Sequence, residues 1–442
     1  MRQQAIKWLN NELPQLVAQQ VLTPEAAERL RAHYGLPAPA RPARLGVVIF
    51  AILGTLLIGA GAILLLAHNW DAISRPMRTV LSFLPLIAAQ ALAAWVILRR
   101  PQSLAWREGA GALLFLMIGA SIALIAQTYN ISGDTPRFIL TWSLLGLPVA
   151  YLLNALIPAL LYLWGITAWA GCVHDTPSAV FGYCLLAALL IPLFAVWLRK
   201  DRYAARPTIL LWVFCISATI ACMATMPYVL PEIWLSIIHT SLFALMFLAG
   251  EFWFNDVGGF WSRPLRHFGA AGILITSFLL TFNWPWSDIA RWNQIQWERL
   301  QAASSHILSN AILLGLLLLA TLCLLVTKPR RKTISGLLMG LAPLLAIGGY
   351  CLHVLSSACA WGVIIFNIYL LAIGFWLLVT GIMRNRQGRM NAGLVTVGAL
   401  IVARFFDSDL SFLLRGLIFI GLGIALLAAN LIILRRKGAP HA

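Results

Sequence analysis

Apolar runs of about 16 to 26 residues recur from residue 45 to residue 434, separated by short polar connections. Hydrocarbon offers no partner to backbone N–H and C=O groups, so a run of roughly 20 apolar residues crosses a bilayer as a helix. Fourteen runs are read: 45–67, 77–98, 108–128, 137–152, 155–173, 178–198, 207–226, 232–250, 267–283, 307–327, 333–352, 358–383, 390–405 and 410–434. Charged residues make up only 11% of the chain, against about 25% in soluble domains, too few to cover so many apolar helices in water. The expected fold is all-α: a polytopic transmembrane bundle of about 14 spans, with both termini cytosolic and a small N-terminal helical hairpin.

The net charge of +17 belongs to topology rather than to nucleic acid, because the basic residues form short clusters between apolar runs. With the N-terminus inside, 25 of the 32 Lys and Arg fall on the inner side. The fourth and fifth runs share a tight turn near Asn154. Without that turn the later basic connections would change sides, so the charge bias argues for it. Residues 1–8 lack the apolar core of a cleaved signal peptide, and the first run is expected to act as an uncleaved signal.

Residues 1–44 form the cytosolic hairpin and a Pro/Ala tether. Its second helix is well marked: Thr23 as cap, Pro24 in the first position, Glu25 at the positive helix end, and Gly35 as stop. Residues 45–435 form the membrane domain and 436–442 a cytosolic tail. Between the ninth and tenth runs, Trp286, Ile289, Trp292, Trp297 and Leu300 share one helical face. An amphipathic helix near 286–303 is therefore expected in the outer interface, as anchor or lid. Gly54 with Gly61, and Gly416 with Gly423, lie seven apart and would make grooves for close helix approach.

Several polar exits fall on the outer side in this topology: His68, Asn69 and Asp71; Gln127, Tyr129, Asn130 and Asp134; and Arg404, Asp407, Asp409 and Arg415. Together they could hold a cation or act as acid and base, with the arginines gripping an anion. Each also has a structural use, Asp409 as a helix cap and Arg404 as the complement of a helix C-terminus. Within the spans the polar candidates are Gln90, Ser121, His239, Asn310 and Asn367, while Glu108 and Glu251 lie near inner ends. No carboxylate sits mid-span, which weighs against proton-coupled transport. No nucleotide-binding, zinc-protease or nucleophile-elbow motif is present, and the seven cysteines show no metal-ligand spacing. No cofactor and no metal are indicated.

Three stretches carry a resemblance: Leu22-Thr-Pro-Glu-Ala-Ala-Glu-Arg-Leu30 with His33-Tyr-Gly35; Leu57-Ile-Gly-Ala-Gly-Ala-Ile-Leu-Leu-Leu-Ala-His-Asn-Trp-Asp71; and Ile118-Gly-Ala-Ser-Ile-Ala-Leu-Ile-Ala-Gln-Thr-Tyr-Asn130. They resemble a family of bacterial polytopic membrane proteins labelled domain of unknown function 2157. The Arg404-Phe-Phe-Asp-Ser-Asp409 stretch is similar to the C-terminal part of longer members. The resemblance implies a bacterial inner-membrane location and carries no catalytic residues over.

The leading functional expectation is a transporter or flippase-like protein for a small or amphipathic solute, since almost all of the chain is available to build a path. The alternatives are an outer-leaflet enzyme transferring sugar or lipid groups, and a non-catalytic scaffold recruiting a protein partner through the hairpin. The expected partners are the bilayer and a small-molecule or lipid-like ligand, with no nucleic acid.

Overall fold

The structure is a computed structural model. It describes residues 12–34 in part, 73–173, 176, 178–226, 232–254, 259–287, 304–327, 334–356 and 360–406, with single positions between 413 and 424. Two units divide the chain, residues 1–78 and 79–442.

In the first unit, helix α1 (Pro24–Tyr34) begins where the sequence places it. Thr23 Oγ1 accepts the Ala26 N–H at 3.3 Å, the N-cap bond expected of a threonine before Pro-Glu. Most of the preceding helix, the tether, the 45–67 run and the His68, Asn69 and Asp71 exit lie outside the described residues.

The second unit is helical throughout its described elements. Helices α2 (Arg75–Arg99, entering it at residue 79), α3 (Leu104–Thr128), α4 (Thr135–Leu152) and α5 (Leu156–Cys172) are followed by α6 (Ala179–Ala188), α7 (Ile191–Lys200), α8 (Ala205–Ala224) and α9 (Glu232–Trp253). Then come α10 (Pro264–Leu279), α11 (Ser304–Thr327), α12 (Ile334–Ser356), α13 (Ala360–Met383) and α14 (Gln387–Phe405). They coincide with twelve of the fourteen apolar runs. Among the described residues, eight segments are long and apolar enough to cross a membrane: α2, α3, α6 with α7, α8, α9, α11, α12 and α13.

The sixth run is not one straight helix. Pro192 has no N–H to give and disfavours helical backbone before it, so the chain breaks at Leu189–Leu190. Tyrosines bond two carbonyls at the break: the Tyr162 hydroxyl donates to Leu186 O at 2.8 Å and the Tyr151 hydroxyl donates to Leu189 O.

Asparagine stops three helices. Asn130, Asn154 and Asn385 adopt φ of 48°, 46° and 49°, left-handed backbone that Asn tolerates better than most residues. Just beyond each, an N–H reaches back five residues: Ile131 to Ala126 O, Ala155 to Ala150 O, and Arg386 to Gly381 O. The turn at Asn154 makes α4 and α5 a hairpin. Arg107 holds it by donating to Leu153 O and, at 2.7 Å, to Asn154 O. Glu108 accepts the Leu156 and Ile157 N–H groups at 2.9 and 2.7 Å and pairs with Arg206 at 3.6 Å.

Close packing relies on missing side chains. Trp142 lies over Gly119 and Phe115 over Gly146, so α3 and α4 interlock reciprocally. A Cβ at Gly269 would sit 2.5 Å from Phe247 N of α9, and one at Gly393 would sit 2.6 Å from Leu378 N of α13. Backbones thus approach closely in the α9–α10 and α13–α14 pairs. Helix α9 is the central post, packing against α8, α10, α11 and α12. A continuous apolar core runs from Phe115 through Phe247 to Leu377. At the periphery α11 exposes Leu308, Leu316, Leu319 and Val326, surface that calls for lipid rather than water.

A Cβ at Gly416 or Gly423 meets nothing within 4 Å, and most residues around them lie outside the described residues. Gly54 and Gly61 lie outside the described residues. Trp286 is not an interface anchor but a core residue, and 288–303 lie outside the described residues.

Candidate functional site

The polar residues singled out in the sequence separate by position. Gln127, Asn130 and Asp134 line one open hollow of about 560 Å³ at the α3–α4 connection. Tyr129 is not part of it, and its hydroxyl lies 3.0 Å from Thr79 Oγ1. Asp134 pairs with Arg137 at 3.6 Å, both well exposed. Arg404 is buried with its guanidinium 4.9 Å from the centre of the Phe282 ring. Asp407, Asp409 and Arg415 lie outside the described residues.

Of the mid-span candidates, Gln90 is exposed rather than interior. The others bond within or between helices. Ser121 Oγ donates to Ser82 O at 2.8 Å. His239 places Nδ1 2.8 Å from Leu235 O and Nε2 3.4 Å from Thr219 O, and a neutral ring donates to one of these two carbonyls. Asn310 donates to His306 O, and Asn367 donates to Val363 O and Thr281 O. These are satisfied polar groups that tie neighbouring turns, the cheaper use of polarity in an apolar interior. Sequence inspection missed a further buried cluster, Thr167, Ser217 and Tyr183, in which the Ser217 hydroxyl lies 2.5 Å from Thr167 Oγ1 and 2.7 Å from the Tyr183 hydroxyl. Three hydroxyls spread over fifty residues leave no sequence pattern.

A larger group of charges among the described residues lies elsewhere. A cavity of about 510 Å³ opens where α9 ends, α10, α12 and α14 begin, and α13 ends. Arg263, Arg266, Arg386 and Arg389 line it together with His267. Its deeper wall is apolar, formed by Phe247, Leu274, Met339, Trp376 and Leu377. Among the described lining residues there is no carboxylate.

Two of the arginines are held from below. Glu251 sits just outside the lining and takes Arg266 at 3.1 Å, both about one-seventh exposed, while Ser335 donates to the same carboxylate oxygen at 3.2 Å. Arg266 also lies 5.9 Å from the Phe247 ring centre, and Arg389 lies 5.9 Å from that of Trp376. Stacking fixes the plane of a guanidinium while its edge stays available. Arg386 is exposed at the mouth. Asp256, a further acidic residue of the α9–α10 connection, lies outside the described residues.

Arg263 and Arg386 are also the N-cap residues of α10 and α14, and neither cap is closed by its own side chain. Two positive helix ends therefore add to the arginines. In the sequence these arginines read only as markers of the inner side. That two such connections, 120 residues apart, meet at one mouth becomes visible only once α10 packs on α13.

At the other end of α12 and α13 sits Trp286. This residue is fully buried, donates from Nε1 to Leu280 O at 3.0 Å, and packs on Gly349 of α12 and Gly362 of α13. From Ser335 to Gly349, and from Gly362 to Trp376, is fourteen residues along the helix, or roughly 21 Å. That distance covers most of a hydrocarbon core about 30 Å thick.

No curated protein and no solved structure matches this chain. A family model described as "Predicted membrane protein (DUF2157)" matches residues 14–159, a region that includes α1 through α4.

Proposed function

We propose that this chain is a fourteen-span bacterial inner-membrane protein, both termini cytosolic, that takes up an anionic amphipathic solute from the cytosolic side in the manner of a transporter or flippase. The observation that carries this reading is the arginine cavity: four guanidinium groups at a mouth backed by an apolar wall that runs into the bundle. Charge at the rim and hydrocarbon behind it match an amphiphile better than a small hydrophilic ion.

The side follows from charge bias. The Arg263–Arg266 and Arg384–Arg389 connections are both basic, as are those around Arg107 and Arg206, which meet through Glu108. Connections of this kind stay cytosolic. Trp286 then stands at the outer end and keeps the path closed in this conformation. The eight long apolar segments, the α4–α5 hairpin, α10, α14 and the runs at 45–67 and 410–434 together supply the fourteen crossings.

The test is reconstitution. Proteoliposomes holding the purified protein and a fluorescent anionic single-chain amphiphile are assayed for movement between leaflets by dithionite quenching. Accelerated movement, reduced about tenfold by Arg389→Gln, supports the reading. Movement no faster than in protein-free vesicles overturns it.

A further inference from the structure

We propose that the arginine cavity is a binding site for a phosphate monoester dianion, and that its apolar wall favours the lipid-borne form over free phosphate. The inference deepens the reading above, yet it concerns binding and stands whether or not the ligand is moved.

The geometry supplies each requirement. A guanidinium presents two parallel N–H groups that match two phosphate oxygens, which makes arginine better suited to phosphate than lysine. Four arginines line the cavity. Arg266 is committed to Glu251 and acts as a fixed strut. Arg389, steadied by Trp376, and Arg386 at the exposed mouth are the groups placed to grip.

The first turns of α10 and α14 contribute lining residues from both helix starts, Arg263 and Arg266 from one and Arg386, Gly388 and Arg389 from the other. Backbone N–H groups in such uncapped turns bind phosphate oxygens. Gly388 belongs to one of these turns, and a Cβ built there meets nothing within 4 Å, so the backbone is open to a close ligand.

Charge sets the class of phosphate. A monoester carries about −1.5 to −2 at neutral pH, whereas a diester carries a single negative charge. Several cations lining one cavity gain more from the dianion. A zwitterionic headgroup would bring its ammonium against the same arginines and be rejected.

The cavity is also large enough for more than the anion. At about 510 Å³ it falls within the range of sites for drug-sized ligands. Phe247, Leu274, Met339 and Leu377 offer acyl carbons a wall that inorganic phosphate cannot use.

The experiment is a titration of the full-length protein in a neutral detergent, followed by microscale thermophoresis. The probes are dioctanoyl phosphatidic acid, dioctanoyl phosphatidylglycerol, dioctanoyl phosphatidylcholine, glycerol 3-phosphate and inorganic phosphate. The expected order places phosphatidic acid about tenfold or more tighter than phosphatidylglycerol, with phosphatidylcholine weakest. Glycerol 3-phosphate and inorganic phosphate should compete at concentrations about a hundredfold higher.

Two variants accompany the series. Arg389→Gln should weaken phosphatidic acid about tenfold or more. Gly388→Asp places a carboxylate in open space at the α14 N-terminus, where an acidic residue suits the helix, so it should lose binding without a lower melting temperature. Equal affinity for monoester and diester lipids, or binding unchanged in both variants, overturns the proposal. Inorganic phosphate binding as tightly as phosphatidic acid overturns its lipid part. Monoester-selective binding without leaflet exchange would refute the transport reading and leave this site standing, whereas exchange without monoester preference would do the reverse.

Discussion

Glu108 shows how one carboxylate near a membrane boundary can be structural. It accepts two backbone N–H groups at the start of α5 and pairs with Arg206, while the neighbouring Arg107 holds the carbonyls at the end of α4. Removing the carboxylate leaves two helix N–H groups and a partly buried guanidinium without their acceptor. Glu108→Ala should therefore lower stability by about 2–4 kcal/mol, read as a fall in midpoint during unfolding of the detergent-solubilised protein. Asp134→Asn should change it by less than about 0.5 kcal/mol, because the pair with Arg137 is exposed. The sequence placed Glu108 near the inner end of its run and Asp134 at an outer exit but could not rank them. Both read as an acid beside a boundary, and the difference lies in what packs against each. The same limit applies to Gln90 and His239, two mid-span polar residues of which one is exposed and one buried.

At the scale of the elements, hydropathy made the helices legible and left their packing dark. Run boundaries and helix boundaries agree closely because both follow where apolar residues stop. Pro192 was a visible signal for the break in the sixth run, and a length-based reading passed over it. Which glycines mediate contact was not visible. The seven-residue spacing pointed to Gly416 and Gly423, where a Cβ meets nothing within 4 Å among the described residues, while the α13–α14 contact uses Gly374, Gly381 and Gly393. Gly393→Leu should separate α13 from α14 and cost about 3 kcal/mol or more, whereas Gly416→Ala should be neutral within about 0.5 kcal/mol; thermal unfolding with scattering detection distinguishes the two. Trp286 gives a third test at this scale. Replacing it with Ala opens a cavity between α12 and α13 and should cost about 3–5 kcal/mol, whereas an interface anchor would lose far less.

For the whole molecule, the arginine cavity and the Asn154 turn belong to one face if the basic connections share the cytosol, and the Asp134 hollow belongs to the other. Charge bias is the basis of the sides proposed, and the folded helices bring the Arg263–Arg266 and Arg386–Arg389 connections to one cavity. The route proposed for an anionic amphiphile, from the arginines past the apolar wall toward Trp286, requires the cavity mouth to be cytosolic. The most direct measurement is site-directed thiol labelling in intact cells. In a cysteine-free background, single cysteines replace the exposed residues Gln102, Gln387, Ser132 and Ser356, and a membrane-impermeant maleimide is applied before and after permeabilisation. Labelling of Ser132→Cys and Ser356→Cys in intact cells, with Gln102→Cys and Gln387→Cys labelled only after permeabilisation, is the expected result. Labelling of Gln387→Cys from outside would turn the cavity away from the cytosol and contradict the account.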